Sequence, residues 1–565
     1  MGGAHSSSAG TALRRKHDVS EDEIGRLKQS PLGWRVNMNA LYAALGSALL
    51  LHSTAAAQTP QSDTPTSQLD AQTKGVVDCA AIQRMDFSGL SEAPTSITSA
   101  NVVKASGNFK EYCEVNGVIA PQISFTLRLP TESWNGRYFQ AGCGGLCGDI
   151  RMDRCEVPQA RDFAVAAHNM GHVGHFWSNA MWADVPELRA DYGNRSTHVV
   201  AVASKAIIAA YYGQRPAKNY FQGCSTGGRE GMNSAHNYPG DFDGIIAGDA
   251  AYPVRQGAIM NNWAAQILLD TQDREIFSDE SKAVLHRAVL EACDKLDGVA
   301  DGILSDPRLC RFDPRTTACT EGNNTNCLNE AQVQAAMAIY NGPRNSRGER
   351  LSPGGYPYGS ELSWRGKGNL EVATTSLRHL VFAEPRPDFH YRDFDWDNDI
   401  AAVEAQSALL DGIPPRVAPD YAAFHARGGK MIAYHGWGDG IPPTSLLDFY
   451  QRVWEKEGGL DATREWFRVF MVPGMGHCRG GDAPNTFDLL TEIVAWVEHG
   501  QAPDGVIATQ YNDDQSVKRT RPLYAYPTLQ AYSGQGDVND AANWRPAPPK
   551  SAPDDKIDWI WAPKN

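Results

Sequence analysis

Residues 223–227 read Gly-Cys-Ser-Thr-Gly and place Ser225 in a G-x-S-x-G pattern. Residues 219–222 before it are typical of a short strand, and residues 228–237 after it can form a helix. Between a strand and a helix, this pattern lifts a serine hydroxyl to the carboxyl end of a sheet, where it can attack a carbonyl carbon. The sequence therefore predicts Ser225 as a nucleophile. Cys224, directly before it, is a second reactive group, an accident or a structural element.

A serine hydroxyl attacks well only when a base takes its proton, and that base is usually a histidine oriented by a carboxylate. Asp439 lies in HGWGD, directly after residues 430–434, which read KMIAY and are typical of a buried strand. His477 lies in PGMGHC, after the strand-like residues 466–472. Both residues follow predicted strands, where an active site of a parallel sheet forms, so we predict a triad of Ser225, Asp439 and His477.

Five other residues are alternatives for the base or the acid. They are His236, His435, Asp243, Asp249 and Asp448. We interpret both histidines as structural or surface residues, because His435 precedes the acid loop and His236 lies well inside a predicted helix. Asp448 falls in a predicted helix and is interpreted as part of its solvated face. Asp243 and Asp249 flank a predicted strand, and either could orient a loop or be the acid.

Ester and amide hydrolysis also requires N–H groups that hold the oxyanion, and the backbone usually supplies them. One is expected from Thr226, the residue after the nucleophile. The other is expected from the glycine-rich turn at residues 143–145, with Gly144 at its centre, because this turn follows an early predicted strand. A tight turn without a catalytic role is the alternative for Gly144.

Strand-like and helix-like segments alternate along much of the chain. Residues 122–129, 137–141 and 242–248 are typical of strands, and residues 196–213 are typical of a helix. Such alternation predicts an α/β protein with a parallel sheet covered on both faces. Between residues 254 and 428 the pattern weakens and Pro, Gly, Trp and Cys become frequent. We therefore interpret this region as an insertion into one fold.

Composition narrows the class of protein. The chain has 565 residues, 42% of them hydrophobic and 21% charged, as in ordinary globular proteins. Its formal net charge of -14 argues against nucleic acid or an anionic membrane as a partner, since both attract basic surfaces. Eleven cysteines are more typical of an exported protein with disulfides than of a cytosolic one, and their odd number leaves at least one unpaired.

The N-terminus has the features of an export signal. An apolar run at residues 40–51 is followed by Ala-Ala-Ala-Gln at residues 55–58 and is too short to span a bilayer. We predict that residues 1–57 are an N-terminal extension with a signal peptide and that residues 58–75 are a polar linker. A tail that carries an apolar patch by chance is the alternative.

Four segments resemble one known family. They are YFQGCSTGGREGMNSAHNYPGDFDGIIAG, HGWGD, FRVFMVPGMGHCRGG and WVEHGQAPD. These motifs are similar to those of the tannase and feruloyl esterase family, which includes mono(hydroxyethyl) terephthalate hydrolases. The resemblance implies an α/β-hydrolase fold with a large lid domain inserted between the nucleophile and acid strands. It divides the chain into a core at 76–253, a lid at 254–428 and the rest of the core at 429–565.

The resemblance also gives roles to individual residues. It implies the triad of Ser225, Asp439 and His477, and a disulfide between Cys224 and Cys478. Three further disulfides are implied. These are Cys79 with Cys113, Cys293 with Cys310 and Cys319 with Cys327. Of the remaining cysteines, we expect Cys147 to pair with Cys155, which leaves Cys143 unpaired. Many members have a cysteine where this chain has Tyr524, so the resemblance does not predict how rigid the C-terminal segment is.

Residues 293–310, CDKLDGVADGILSDPRLC, contain three closely spaced aspartates beside two Asp-Gly turns. Carboxylate and carbonyl oxygens suit Ca²⁺, although surface turns explain the same spacing. The resemblance implies a structural calcium site in the lid, with no organic cofactor. Its ligands would be Asp294, Asp297 and Asp301 together with the carbonyls of Val299 and Ile303.

These expectations combine into a secreted or periplasmic serine esterase that hydrolyses esters of aromatic acids through an acyl-enzyme on Ser225. Feruloyl esters are expected first, with galloyl esters or aromatic diester fragments as alternatives, and the substrate is either a free small ester or one attached to plant polysaccharide or tannin. Lid aromatics such as Trp364 and Phe382 stack on the substrate ring or pack within the lid. A calcium-stabilised secreted binding protein with a silent hydrolase core is the alternative that is not an enzyme.

Overall fold

The computed structural model describes residues 72–321, 325–412, 419–550 and 558–560. The predicted signal peptide and nearly all of the predicted linker lie outside these residues. In the described segments, no helix is both long and apolar enough to cross a membrane.

The described residues form thirteen strands and fifteen α-helices. The strands are β1 (Thr95–Val103), β2 (Tyr112–Ile119), β3 (Ile123–Pro130), β4 (Arg137–Ala141), β5 (Ala164–His168), β6 (Lys218–Cys224), β7 (Gly244–Gly248), β8 (Lys430–Gly436), β9 (Phe467–Val472), β10 (Gly505–Tyr511), β11 (Val517–Tyr524), β12 (Leu529–Tyr532) and β13 (Trp544–Ala547). The helices are α1 (Cys79–Ile82), α2 (Glu156–Ala160), α3 (Pro186–Ala190), α4 (Ser196–Tyr212), α5 (Thr226–Asn237), α6 (Val254–Leu268), α7 (Asp279–Cys293), α8 (Glu330–Asn341), α9 (Gly366–His379), α10 (Asp399–Ala405), α11 (Ser407–Leu410), α12 (Ala422–Ala426), α13 (Pro443–Lys456), α14 (Leu460–Arg464) and α15 (Leu489–His499).

The main sheet has nine strands in the order β1-β2-β3-β5-β4-β6-β7-β8-β9. The strands from β5 to β9 in that order are parallel, whereas β1, β2 and β3 extend the sheet through antiparallel pairs. The predicted parallel sheet is therefore confirmed, and the antiparallel edge is an addition to it. Because parallel strands end at one edge, the loops after β4, β6, β8 and β9 lie on the same side of the sheet.

Both faces of the sheet are buried. Phe221 and Ile245 belong to one hydrophobic cluster, which the helices α4 and α5 cover. Their neighbours Tyr220 and Ile246 belong to a second cluster on the opposite face, covered by α15. Successive strand residues point to opposite faces, so strands that are apolar on both sides must lie inside the sheet.

The strands β7 and β8 are adjacent in the sheet but far apart in the sequence. Between them, the described residues form the helices α6 to α12 and contribute no strand to the main sheet. These helices build their own hydrophobic cluster, which includes Leu285, Val333 and Ile339. The architecture is that of a helical insertion, while the predicted lid boundaries at 254 and 428 stay predictions.

Candidate active site

Ser225 lies in a sharp turn between β6 and α5, with φ 64° and ψ -121°. A non-glycine residue adopts a positive φ at a cost in free energy, and such positions cluster at functional sites. The turn depends on close backbone approach, because a Cβ on Gly227 would lie 2.5 Å from the carbonyl oxygen of Cys143. A Cβ on Gly223 would lie 2.5 Å from the backbone of Gly227. The glycines of the motif are therefore sterically required.

The predicted base and acid are in contact. His477 Nδ1 donates a hydrogen bond to Asp439 Oδ2 over 2.8 Å. The Asp439 side chain is 1% exposed and that of His477 is 32% exposed. With Nδ1 engaged by the carboxylate, Nε2 is the ring atom that can take up a proton.

Electrostatics reinforce this pair. Burial opposes the charged form of His477, but the negative charge of Asp439 and the hydrogen bond outweigh it and raise the pKa of His477 to about 9. Burial likewise opposes the Asp439 carboxylate, but the charge of His477 and hydrogen bonds from two histidines hold its pKa well below its usual range. The pair therefore favours an ionised acid next to a basic imidazole.

A disulfide joins the residues next to the predicted nucleophile and base. Cys224 and Cys478 are bonded, with their Cα atoms 5.9 Å apart, across 254 residues of sequence. Ser225 and His477 are thereby neighbours of one covalent bridge. Among the described residues, the Ser225 hydroxyl has no hydrogen bond to the His477 ring. Contacts of this kind often shorten only when substrate binds.

His435 and Asp249 pack around Asp439, the predicted acid. His435 Nε2 is 3.0 Å from Asp439 Oδ2 and 3.0 Å from the carbonyl oxygen of Ile441. Asp249 accepts the N–H of Gly436 over 2.9 Å, and burial raises the pKa of Asp249 to about 7. Neither residue contacts the base directly within hydrogen-bonding distance. Both residues are candidates in the sequence analysis, but the sequence does not predict that they pack around Asp439. Asp249 follows β7, and only the order of the strands in the sheet brings it next to β8.

The remaining alternatives lie elsewhere. Asp243 accepts the backbone N–H of Asn219, at the opposite end of β6 from Ser225. His236 contacts the backbone of Asp420. The interpretation of Asp448 as solvated is wrong, since it is 8% exposed and is held by Trp559 and Arg452.

The turn at 143–145 packs against the start of α5. Thr226 Oγ1 donates to the carbonyl oxygen of Gly145 over 2.7 Å. Within the described chain, the backbone N–H groups of Gly144 and Thr226 donate to no protein acceptor. Two free N–H groups next to a serine are what an oxyanion would require.

Trp364 and Phe382 have a packing role. Each is 2% exposed. Trp364 packs edge-on against Phe277 at a ring distance of 5.5 Å, and Phe382 packs against Phe389 at 5.4 Å. Trp364 belongs to a hydrophobic cluster within the insertion, and Phe382 belongs to a cluster that also includes residues before the insertion.

Five disulfides are present. They join Cys79 to Cys113, Cys143 to Cys147, Cys224 to Cys478, Cys293 to Cys310 and Cys319 to Cys327. The expected pairing of Cys147 with Cys155 is wrong. Cys147 bonds to Cys143 inside the same turn, and Cys155 is a buried free thiol. Burial raises the pKa of the Cys155 thiol to about 12, so this residue is an inert core side chain.

The three aspartates of the predicted calcium site accept backbone N–H groups of the same segment. Asp297 accepts the N–H of Val299 over 3.0 Å, and Asp301 accepts that of Ile303 over 3.1 Å. Asp294 accepts the N–H of Gly302 over 3.1 Å. The local backbone is thus ordered by the carboxylates themselves.

The donor set fits a hard cation only in part, because the carboxylates of Asp294, Asp297 and Asp301 do not come together in one metal-binding group among the described residues. Burial raises the pKa values of Asp294 and Asp297, and no ion pair to either occurs among the described residues. Asp301 pairs with Arg521. The carbonyls of Val299 and Ile303 accept no hydrogen bond within the described chain. Two uncompensated carboxylates beside free carbonyl oxygens suit Ca²⁺, which prefers oxygen ligands.

Comparison with known proteins shows which family and which relatives this chain resembles. A family model described as "Tannase and feruloyl esterase" matches residues 101–547. Mono(2-hydroxyethyl) terephthalate hydrolase of Piscinibacter sakaiensis is 35% identical over 518 residues, covering 78% of this chain and 85% of that protein. A probable feruloyl esterase B-2 of Aspergillus flavus is 33% identical over 424 residues, covering 69% of this chain and 78% of that protein.

A solved structure agrees with these relatives. The crystal structure of feruloyl esterase B from Aspergillus oryzae superposes with a TM-score of 0.75 at 26% identity, covering 83% of this chain and 99% of that chain. The fold is therefore an α/β-hydrolase fold, as expected, and the molecule is a carboxylic ester hydrolase. The chain belongs to the tannase and feruloyl esterase family. This membership favours an enzyme over a silent binding protein.

Proposed function

We propose that this carboxylic ester hydrolase is a serine esterase that acts on esters of aromatic acids through an acyl-enzyme on Ser225. The observation that carries the proposal is the Cys224–Cys478 disulfide, which brings Ser225 next to the hydrogen-bonded pair of His477 and Asp439. Nucleophile, base and acid then follow the chain order expected for this fold.

In the first step, His477 Nε2 takes the proton of the Ser225 hydroxyl while the oxygen attacks the ester carbonyl carbon. The carbonyl oxygen becomes an oxyanion, which the N–H groups of Thr226 and Gly144 hold. The intermediate collapses, and His477 gives its proton to the alcohol oxygen as the C–O bond breaks. The alcohol leaves, and the acyl group stays on Ser225.

In the second step, His477 takes a proton from water, and the hydroxide attacks the acyl carbon. The second oxyanion collapses, His477 returns the proton to Ser225, and the carboxylic acid leaves. Asp439 keeps the imidazole in one tautomer and stabilises its charged form throughout.

Two aromatic acyl classes have support from relatives. A relative named feruloyl esterase B-2 favours hydroxycinnamoyl esters, which we place first. A 35% identical relative named mono(2-hydroxyethyl) terephthalate hydrolase favours terephthalate monoesters as the second candidate. Galloyl esters are the third class. The proposal includes substrates in which the aromatic ester is attached to plant polysaccharide or tannin.

A panel of methyl ferulate, methyl gallate and mono(2-hydroxyethyl) terephthalate ranks these classes by kcat/KM. Ser225→Ala should lose turnover of every ester while keeping the melting temperature and circular dichroism of the parent. Full activity of that variant would end the proposal. Turnover of p-nitrophenyl acetate alone, with none of the three aromatic esters, would retain the serine esterase but reject the substrate class.

We also propose a structural Ca²⁺ on Asp294, Asp297 and Asp301 and an extracytoplasmic location, secreted or periplasmic. Five disulfides support that location, because such bonds persist in oxidising compartments. Fractionation of the natural host tests it, and recovery of the enzyme in the cytoplasm would contradict it.

A further inference from the structure

The first turn of α5 contacts the turn at 143–145 through two side chains on the same helix face. Residues four apart in a helix lie one above the other. Thr226 Oγ1 holds the carbonyl of Gly145. Glu230, one helical turn later, accepts the backbone N–H of Cys143 on Oε1 over 2.9 Å. The helix that begins at the predicted nucleophile thus grips both ends of the turn.

Glu230 is itself held from two other elements. Its Oε2 accepts the hydroxyl of Thr197 on α4 over 2.7 Å, and His168 Nε2 at the end of β5 lies 3.3 Å away. Nδ1 of His168 accepts the N–H of Met170, so the neutral ring carries its proton on Nε2, facing Glu230. Two donors, the N–H of Cys143 and the hydroxyl of Thr197, therefore bind this carboxylate, and a third, the Nε2–H of His168, faces it.

The carboxylate is 3% exposed. Burial opposes its charge, but the nearby His168 and the hydrogen bonds from Thr197 and Cys143 outweigh burial and lower the pKa of Glu230. A buried anion that is fully supplied with donors is rigid, because moving it leaves a charge without partners.

We infer that Glu230 is a positioning residue for the oxyanion hole. By fixing the N–H of Cys143 toward the protein interior, it holds the 142–143 peptide and thereby limits the orientation of the following peptide, whose N–H, that of Gly144, extends toward the ester oxygen. The inference rests on the proposed function, because the hole has meaning only beside an attacking Ser225. Donors that are held before reaction need no reorganisation when the oxyanion forms.

Glu230→Gln is the sharpest test, since the two side chains have nearly the same size. If the amide oxygen accepts the N–H of Cys143, the amide NH₂ faces the Nε2–H of His168. If the amide turns over, the NH₂ faces the N–H of Cys143 instead. In either orientation, the amide NH₂ faces another donor, and the resulting repulsion shifts the side chain that holds the turn. We therefore expect kcat to fall by roughly 10- to 100-fold.

The pattern of the loss separates positioning from general damage. Because the oxyanion exists only in the transition state, KM should change little while kcat falls. Inhibition by phenylboronic acid, whose serine adduct is tetrahedral, should weaken by the same factor as kcat. The active-site fraction, titrated with a fluorophosphonate, should stay near that of the parent.

Glu361 provides a matched control. It is also a buried glutamate that accepts a backbone N–H, from Gly359, and a hydroxyl, from Tyr340, and it contacts His286. Glu361→Gln should lower the melting temperature and leave kcat unchanged. Thr197→Val removes one donor from Glu230 without the donor clash, and we expect a smaller fall in kcat in the same direction.

Steady-state kinetics on this set decides the matter. Loss of kcat in Glu230→Gln and Thr197→Val with unchanged KM supports the inference. Parental kcat in Glu230→Gln would overturn it, and so would an equal loss in Glu361→Gln. If Glu230→Gln fails to fold, Thr197→Val decides alone, and parental kcat there would overturn the inference. Ser225→Ala distinguishes the two proposals, because its continued activity would refute the serine mechanism, whereas its inactivity beside a fully active Glu230→Gln would refute only the role of Glu230.

Discussion

His477 donates from Nδ1 to Asp439 over 2.8 Å, while Cys478, the residue after it, is bonded to Cys224, the residue before Ser225. The imidazole is therefore held on one side by a buried carboxylate and on the other by a covalent bridge to the nucleophile turn. Placement within a fraction of an ångström matters, because small displacement of reacting groups lowers rates steeply.

The charge of Asp439 predicts an unusual pH profile. The base must be neutral to take the proton of Ser225, so activity is lost below the pKa of His477 and rises with pH through it. That pKa is raised to about 9, whereas an ordinary imidazole titrates near 6.5. We expect the acidic limb of kcat/KM for methyl ferulate to lie well above pH 6.5, toward pH 9. Asp439→Asn should move the limb to lower pH, and a parental limb at or below 6.5 would contradict the account.

Removal of the bridge in Cys224→Ala/Cys478→Ala should lower both kcat and stability. Closing a loop of this length stabilises the fold by at most about 5 kcal/mol in the chain-entropy model. Cys79→Ala/Cys113→Ala is the control, since that disulfide lies away from the site. It should lower the melting temperature with little change in kcat. Parental kcat and melting temperature in the Cys224/Cys478 variant would show that the bridge holds nothing in place.

The Cys143–Cys147 disulfide should behave differently. Its cysteines are separated by only four positions in the sequence, so it restricts the unfolded chain much less than the long bridge. Because it lies in the turn that carries Gly144, Cys143→Ser/Cys147→Ser should lower kcat with little change in melting temperature. Differential scanning fluorimetry and steady-state kinetics measure the two effects. A large loss of stability with unchanged kcat would assign this disulfide to the fold alone.

Calcium removal should destabilise the protein. Without the cation, the carboxylates of Asp294 and Asp297 repel each other in a partly buried turn, so EDTA should lower the melting temperature and added Ca²⁺ should restore it. Asp294→Asn should abolish this dependence. Asp313→Asn, a change at an aspartate that pairs with Arg315, should leave it intact. A melting temperature that is insensitive to EDTA in a calcium-loaded sample would reject the site.

The sequence predicts those parts of the site and the sheet that depend on local motifs. Ser225, Asp439 and His477 each follow a buried strand and lie in a glycine-rich turn, so strand patterns and turn chemistry suffice to place them at one edge of the sheet. The same patterns predict the parallel strands β4, β6, β7, β8 and β9 but not β5, which is short and rich in alanine. The strands β1 and β2 are not predicted either, because β1 is largely exposed and polar residues interrupt the apolar pattern of the mostly buried β2.

Contacts made across the chain escaped prediction. Asp249 reaches His435 only because β7 and β8 are neighbours after an insertion of helices. Asp448 is buried by Trp559, which lies 111 residues away. The pairing of Cys143 with Cys147 depends on the local path of one turn, which cysteine positions alone do not determine.

Covalent labelling can show whether Ser225 is the nucleophile. The protein is treated with a fluorophosphonate, which phosphorylates an activated serine, and the adduct is located by peptide mass spectrometry. We expect one adduct, on Ser225, that forms in parallel with loss of esterase activity and is absent from Ser225→Ala. Complete inhibition with the adduct on another residue, or retained activity after Ser225 is fully labelled, would contradict it.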